Sequence, residues 1–338
     1  MKLKNYFQAW AKWLAYDPWE LPQIAPRVVV IGGGSGIAKL LDGLKEHTYN
    51  LSAIVTVYDS GGSTGKLRQA FHIPAIGDLR NCILALAEKE DLLREVFNYR
   101  FDRGGGLEGH SVGNLFLTAL LKKSKNLDEA AAVASKILKI KGRVYPASLD
   151  NASLLAELSN GTTVRGEARI TEVAAETNQK IKEVKLVPKQ LANKNALKAI
   201  RQADLIIIGP GSLFTSLVPN FLIEGIKKEV NQSKAPKIYV VNVSQERGET
   251  MGMKVEDHLD ILLNLGLKLD VALVNKKVLR HAEDVSRLGE VENITTKKQK
   301  YRGIKILRRN IISLKNPLHH SSQKLARTIA REFLQKKI

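Results

Sequence analysis

Residues 28–68 read VVVIGGGSGIAKLLDGLKEHTYNLSAIVTVYDSGGSTGKLR, two buried-strand patterns that each run into a turn rich in glycine and hydroxyls, with a helical segment between them. The β-branched run Val28, Val29, Val30, Ile31 has the character of a parallel strand covered on both faces. The turn after it contains Gly33, Gly34, Ser35 and Gly36. Without Cβ atoms such a turn lets an anion approach the backbone, and the first N–H groups of the next helix have no intrahelical acceptor. The second turn contains Asp59, Gly61, Gly62 and Ser63 and repeats the design. Two phosphate-type loops are therefore expected side by side at the carboxyl edge of one sheet.

Neither loop completes a standard nucleotide motif. A G-x-G-x-x-G frame from Gly32 meets Ile37 and one from Gly34 meets Lys39, so no regular dinucleotide fingerprint is present. The stretch from Ser60 to Lys66 mimics a Walker A loop, but its first position is serine and Leu67 stands where a magnesium-binding hydroxyl belongs.

The chain has 338 residues, 44% of them hydrophobic, enough for one large α/β domain. Its one cysteine, Cys82, lies in the apolar run CILALA, which excludes a disulfide framework and a thiolate metal site, and no other metal site is indicated. A cytoplasmic protein is expected, since no stretch has the length of a membrane-spanning helix and the N-terminus lacks a signal-peptide core. The formal charge of +19 attracts anions, yet the basic residues lack the aromatic interleaving of a nucleic-acid binder, so nucleic acid is not an expected partner. Residues 1–26 form an aromatic arm with Phe7, Trp10 and Leu14 on one helical face, suited to the protein's own body, a protein partner or a membrane surface. A homodimer remains open.

Downstream, IGDLRN places Asp78 and Asn81 at a helix start, where Asp78 is expected to cap. Next, GHSVGN carries His110, Ser111 and Asn114 and spells G-x-S-x-G from Gly109 to Gly113. A nucleophile elbow needs a strand immediately before the serine, and here a polar glycine run precedes it, so no catalytic residue is assigned. A third strand, Leu205–Ile208, ends in GPGSLFTSLVPN with Gly209, Gly211, Ser212 and Asn220, and KIYVVNVSQERGETMGM follows. Ligands in open parallel sheets bind outside the carboxyl ends of strands, where all these clusters fall. Residues around 140–195 read as an inserted lobe of antiparallel strands.

VVVIGGGSG, VTVYDSGGSTGKLR, IGDLRN, GHSVGN, IGPGSLFTSLVPN and RGETMG occur in this order across residues 28–252, and in these motifs the chain resembles the YvcK family of gluconeogenesis factors, within the CofD-like superfamily. The resemblance implies a Rossmann-like three-layer α/β fold with a mostly parallel sheet over residues 27–338. It also implies binding of UDP-sugars such as UDP-N-acetylglucosamine, and a role in cell shape and envelope growth on gluconeogenic carbon. By matching position, Ser35 takes a hydroxyl site that is usually threonine, and Asn220 is the asparagine of the family's PN pair. Three departures stand out: Ser60 replaces a frequent second aspartate, His319 falls where an arginine is common, and Lys276 to Pro317 match poorly. The expected role is a nucleotide-sugar-binding regulator, with a CofD-type transferase as the alternative, in which Asp59 and Asp78 would act on a nucleoside diphosphate donor. No resident cofactor is indicated; magnesium would accompany the diphosphate.

Overall fold

The computed structural model describes residues 25–88, 92–276 and 291–334, so the aromatic arm lies almost wholly outside the described residues. Eleven strands are described: β1 (Val28–Gly32), β2 (Leu51–Val55), β3 (Arg143–Pro146), β4 (Ser153–Leu158), β5 (Thr163–Arg165), β6 (Ile181–Val187), β7 (Leu205–Ile208), β8 (Lys237–Val240), β9 (Val271–Asn275), β10 (Lys300–Tyr301) and β11 (Ile304–Arg309). Eight form one sheet in the order β10-β11-β9-β8-β7-β1-β2-β3, parallel except for the β10 edge. As its branched composition requires, β1 is buried along its whole length, with Val28 in register with Leu51 of β2 on one side and Leu205 of β7 on the other. From β1 the chain winds outward through β2 and β3, then returns to β7 and winds outward the other way. The strand order therefore reverses between β1 and β7, the switch point at which ligands bind in open α/β sheets.

Helices cover both faces. The Gly34–Leu44 helix buries Ile37, Leu40, Leu41 and Leu44 at helical spacing, each contributing about 1.5–3 kcal/mol of transfer free energy. It packs on the Gly77–Leu86 and Ser322–Ile329 helices. Gly43 permits the second crossing, because a Cβ there would stand 2.6 Å from the Ser322 carbonyl oxygen.

Within 140–195, β3 joins the large sheet, while β4, β5 and β6 form a separate antiparallel sheet with the order β5-β4-β6. Alternating burial along β4 matches a sheet with one covered face. Its cover is the Glu167–Thr177 helix, which buries Ile170 and Ala174 and starts after Gly166 at φ +94°. The sequence reading missed this helix, because RITEV has strand-like branching and only packing against β4 and β5 selects the helix. No helix among the described residues is long and apolar enough to cross a membrane.

Candidate functional site

A cavity of about 290 Å³ opens at the switch point, between the loops that follow β1, β7 and β8. Gly33, in extended backbone, precedes the Gly34–Leu44 helix, and Gly34 adopts φ +70°, a left-handed conformation open to glycine without strain. The loops after β1 and β7 meet backbone to backbone: a Cβ on Gly36 would lie 2.7 Å from the Pro210 carbonyl oxygen. Asn242, at the end of β8, clamps the second loop by accepting from the Gly211 N–H at 3.1 Å and donating to the Gly211 carbonyl at 3.0 Å. Glycine here serves the close approach of the two loops.

The first turn of this helix contains no acidic side chain, and its N-terminus points at the cavity with the positive end of the helix dipole. Lys39, Arg247 and His319 add cationic or titratable groups to the wall. Burial lowers the Lys39 ammonium pKa, and burial together with Lys39 lowers His319. His320 is fixed by a 3.1 Å contact with the Val241 carbonyl, and burial holds it neutral, down to about 3. Opposite stands Glu246, whose Oε1 accepts from Asn242 at 3.2 Å and whose pKa burial raises. Behind it, Glu249 accepts from the Thr215 hydroxyl at 2.5 Å and the Phe214 N–H at 3.0 Å. Burial, then the Glu246 charge, pushes the Glu249 carboxyl up to about 8.

A second polar cluster lies beside β2. Asp59 accepts from the Gly61 N–H at 2.7 Å, forming an Asx turn before the Gly62–Phe71 helix. Ser63 contacts His110 Nδ1 at 2.9 Å and accepts from the Asn114 amide at 3.0 Å. Arg80 bonds the Ser111 hydroxyl and, at 2.6 Å, the Asn81 amide oxygen. Asp78 joins the two clusters, since its Oδ2 would lie 2.9 Å from a Cβ on Gly33 and the Gly34 N–H bonds its carboxyl. Burial, reinforced by Asp59, pushes Asp78 up to about 7. Across from it, burial and Asp59 raise Glu167 to about 8, and Glu167 hydrogen-bonds Asp59.

A family model described as 2-phospho-L-lactate transferase CofD matches residues 28–312. The chain belongs to the CofD family. Within it, the chain is 38% identical to the gluconeogenesis factor of Bacillus subtilis over 311 residues, covering 89% of this chain and 96% of that one. It is 44% identical over 326 residues to an Aquifex aeolicus protein provisionally given the same name, covering 90% and 95%. It spans 55% of the length of a Nostoc relative with which it shares 48% identity. A crystal structure of a Bacillus halodurans protein superposes with a TM-score of 0.85 at 38% identity, covering 90% of this chain and 99% of that one. The three-layer α/β architecture with its mostly parallel sheet is the Rossmann-like CofD fold of these relatives.

Against this family fold the expected site residues divide into three groups. Gly33, Gly34, Ser35, Gly36, Gly211 and Ser212 line the cavity. Asp59, Gly61, Gly62, Ser63, Asn81, His110, Ser111 and Asn114 gather instead around the β2 turn, with Asp78 between the two places. Gly209 and Asn220 lie beneath the loops: Asn220 is fully buried and donates to the Ser216 carbonyl at 2.8 Å. Asp78 is not the expected cap, because Ile76 is the N-cap and the Asp78 carboxyl in the first turn bends toward Gly34. The sequence reading overlooked Lys39, Glu246 and Glu167. Lys39 was within reach, one turn after Ser35, whereas Glu167 arrives from the lobe and carries no local signal.

Ser111 is the N-cap of the Val112–Lys123 helix, accepting from the Asn114 N–H at 3.2 Å, and no strand leads into it. It is fully buried. A fluorophosphonate probe is expected to leave the protein unlabelled; labelling that disappears in Ser111→Ala would restore the nucleophile.

Proposed function

We propose that this CofD-family protein is a regulator that binds a UDP-sugar at the switch-point cavity and does not turn it over. One observation carries the reading: the amide-rich start of the Gly34–Leu44 helix faces a cavity lined by Lys39 and Arg247, a combination suited to a diphosphate. The gluconeogenesis-factor name of the relatives agrees with a regulatory role. A cytoplasmic setting and a link to cell shape and envelope growth belong to the same proposal.

The transferase reading draws on Asp59, Asp78 and Glu167, with the Asp59 carboxyl close enough to raise the pKa of the other two. Burial, reinforced by Asp59, pushes the Asp78 and Glu167 carboxyls up to about 7 and about 8, which favours their protonated forms and suits hydrogen bonding to an anion. No group of three or more His, Cys, Asp or Glu side chains among the described residues is arranged to hold a metal ion. In this reading, recognition of the phosphates rests on amides and cationic side chains.

Calorimetric titration with UDP-N-acetylglucosamine, GDP and NAD, with magnesium or with chelator, tests the reading. The UDP-sugar is expected to bind best, with an affinity that magnesium changes by less than about threefold, and to be recovered intact. Nucleoside mono- or diphosphate released in an Asp59-dependent reaction with an added acceptor would establish the transferase instead.

A further inference from the structure

An open groove of about 530 Å³ lies between the Gly62–Phe71 helix and the start of β4, and it shares no lining residue with the switch-point cavity. Its floor is one stripe of the helix. Gly62, Gly65, Lys66 and Gln69 recur at helical spacing, and His72, the left-handed residue that ends the helix, continues them. Asn151 and Ser153 form the opposite wall. The volume falls within the roughly 300–1,000 Å³ usual for small-molecule sites.

Arg68 lines the groove, half-buried, and all its hydrogen bonds go to neutral acceptors. Nε donates to Asn151 Oδ1 at 2.9 Å, Nη1 to the Tyr58 and Asp59 carbonyls at 3.2 and 3.5 Å, and Nη2 to the Ala152 carbonyl. No carboxylate among the described residues pairs with this guanidinium. Burial lowers the Arg68 pKa, Asp59 offsets this in part, and the like charge of Arg165 lowers it further. A half-buried charge held only by neutral groups gains from a bound anion.

Donors converge on the same space. Of the five N–H groups of Arg68, these bonds leave one on Nη2. Asn151 gives its oxygen to Arg68, so its amide hydrogens remain for a ligand. Lys66, Gln69 and His72 are exposed, and none of the three side chains has a hydrogen bond or ion pair among the described residues. The described residues that line the groove include no carboxylate and no aliphatic or aromatic hydrocarbon side chain.

That composition selects a ligand class. A phosphate monoester offers three terminal oxygens to a guanidinium flanked by an ammonium, one more than a carboxylate can present. A nucleotide base would find no apolar face to rest on, whereas the hydroxyls of a polyol can bond the Gln69 and Asn151 amides and the Ser153 hydroxyl. We propose that this groove binds a sugar phosphate or similar polyol phosphate, with the phosphate on Arg68 and Lys66 and the hydroxyls against Gln69, Asn151 and Ser153. The site is independent of any nucleotide in the switch-point cavity.

The test is calorimetric titration of the full chain with glucose-6-phosphate, fructose-6-phosphate and glycerol phosphate, each against inorganic phosphate. At least one ester is expected to bind tighter than inorganic phosphate by about tenfold or more. Gln69→Trp fills the groove, Lys66→Gln removes its exposed ammonium, and each should weaken that ester by about tenfold or more. Neither parent side chain bonds the rest of the described protein, so both variants should fold. Arg68→Lys keeps the charge without the fork and should weaken the ester by a similar factor. Because Arg68 also holds Asn151 and Ala152, the two groove variants decide the matter if that protein misfolds. Equal affinity for the esters and inorganic phosphate would mean an adventitious ion only, and binding of none of the esters would remove the site. Parental affinity in folded Gln69→Trp would place the ester elsewhere. Each of these three results overturns the proposal.

Discussion

Gly34→Val is expected to lower nucleotide affinity by more than about 100-fold, equivalent to roughly 2.7 kcal/mol, while the protein still folds. Gly34 has φ +70°, where a β-branched residue carries strain of about 1–3 kcal/mol. Only the Ser216 hydroxyl lies within 4 Å of a Cβ there, at 3.5 Å, so the neighbouring packing absorbs the first added carbon. The rest of the valine covers the amides at the helix start, and relief of strain by backbone rotation would turn those amides away from the cavity. Calorimetry on a variant with an intact circular dichroism spectrum measures the loss. Parental affinity in that folded variant would place the phosphates elsewhere. Gly36→Val makes a poorer test, because its Cβ would strike the Pro210 carbonyl at 2.7 Å and threaten the fold itself.

The second large effect concerns stability. Glu249→Ala strips the acceptor from the Thr215 hydroxyl and the Phe214 N–H, both in buried residues. Unsatisfied buried donors cost about 1–3 kcal/mol each, so the net loss should be about 2–4 kcal/mol once the relief of a desolvated carboxyl is counted. Glu249→Gln keeps an acceptor and should lose less. The pH dependence separates this account from simple loss of packing. Burial raises the folded carboxyl to about 8 from an ordinary 4.5, so between those values the folded protein holds a proton that the unfolded chain has released. This contribution is fully present below about 4.5 and is lost as pH rises through about 8. Denaturant titrations from pH 5 to 9 should show that decline in the parent and a flatter profile in Glu249→Gln. An unchanged slope would show that Glu249 does not carry the proton.

What the sequence disclosed follows from how local each signal is. Val28–Ile31 and Leu205–Ile208 announce buried parallel strands by composition alone, and the glycine turns behind them line the switch-point cavity. Strand order is not local. That β7 pairs with β1, so that the loops after β1 and β7 nest and the β2 turn falls to one side, is settled by packing across the sheet. For this reason the expected residues separate into a cavity wall and a neighbouring cluster. Asp78 was misread for a similar reason: a capping pattern describes its own helix, whereas the Gly34 N–H belongs to another loop. Arg68 shows the same limit, for it donates to Asn151 at 2.9 Å and to the Ala152 and Tyr58 carbonyls, partners no local pattern announces.

Those Arg68 bonds have a mechanical consequence. The lobe is lashed to the Asp59–Gly65 turn at several points: Arg68 holds residues 151 and 152 at the start of the lobe, the Ala168 N–H reaches Ser60 at 3.1 Å, and Glu167 meets Asp59. Loosening of the turn breaks the footing of the lobe, and detachment of the lobe strips the turn of two partners, Glu167 and Ala168, and releases Arg68 on the helix that follows. The two segments, more than a hundred residues apart along the chain at Ser60 and Ala168, share the hydrogen bonds that hold each in place, so hydrogen exchange is expected to show them opening together. A molecule that steadies the lobe from its far side is therefore expected to slow hydrogen exchange in the turn beside β2, without touching it.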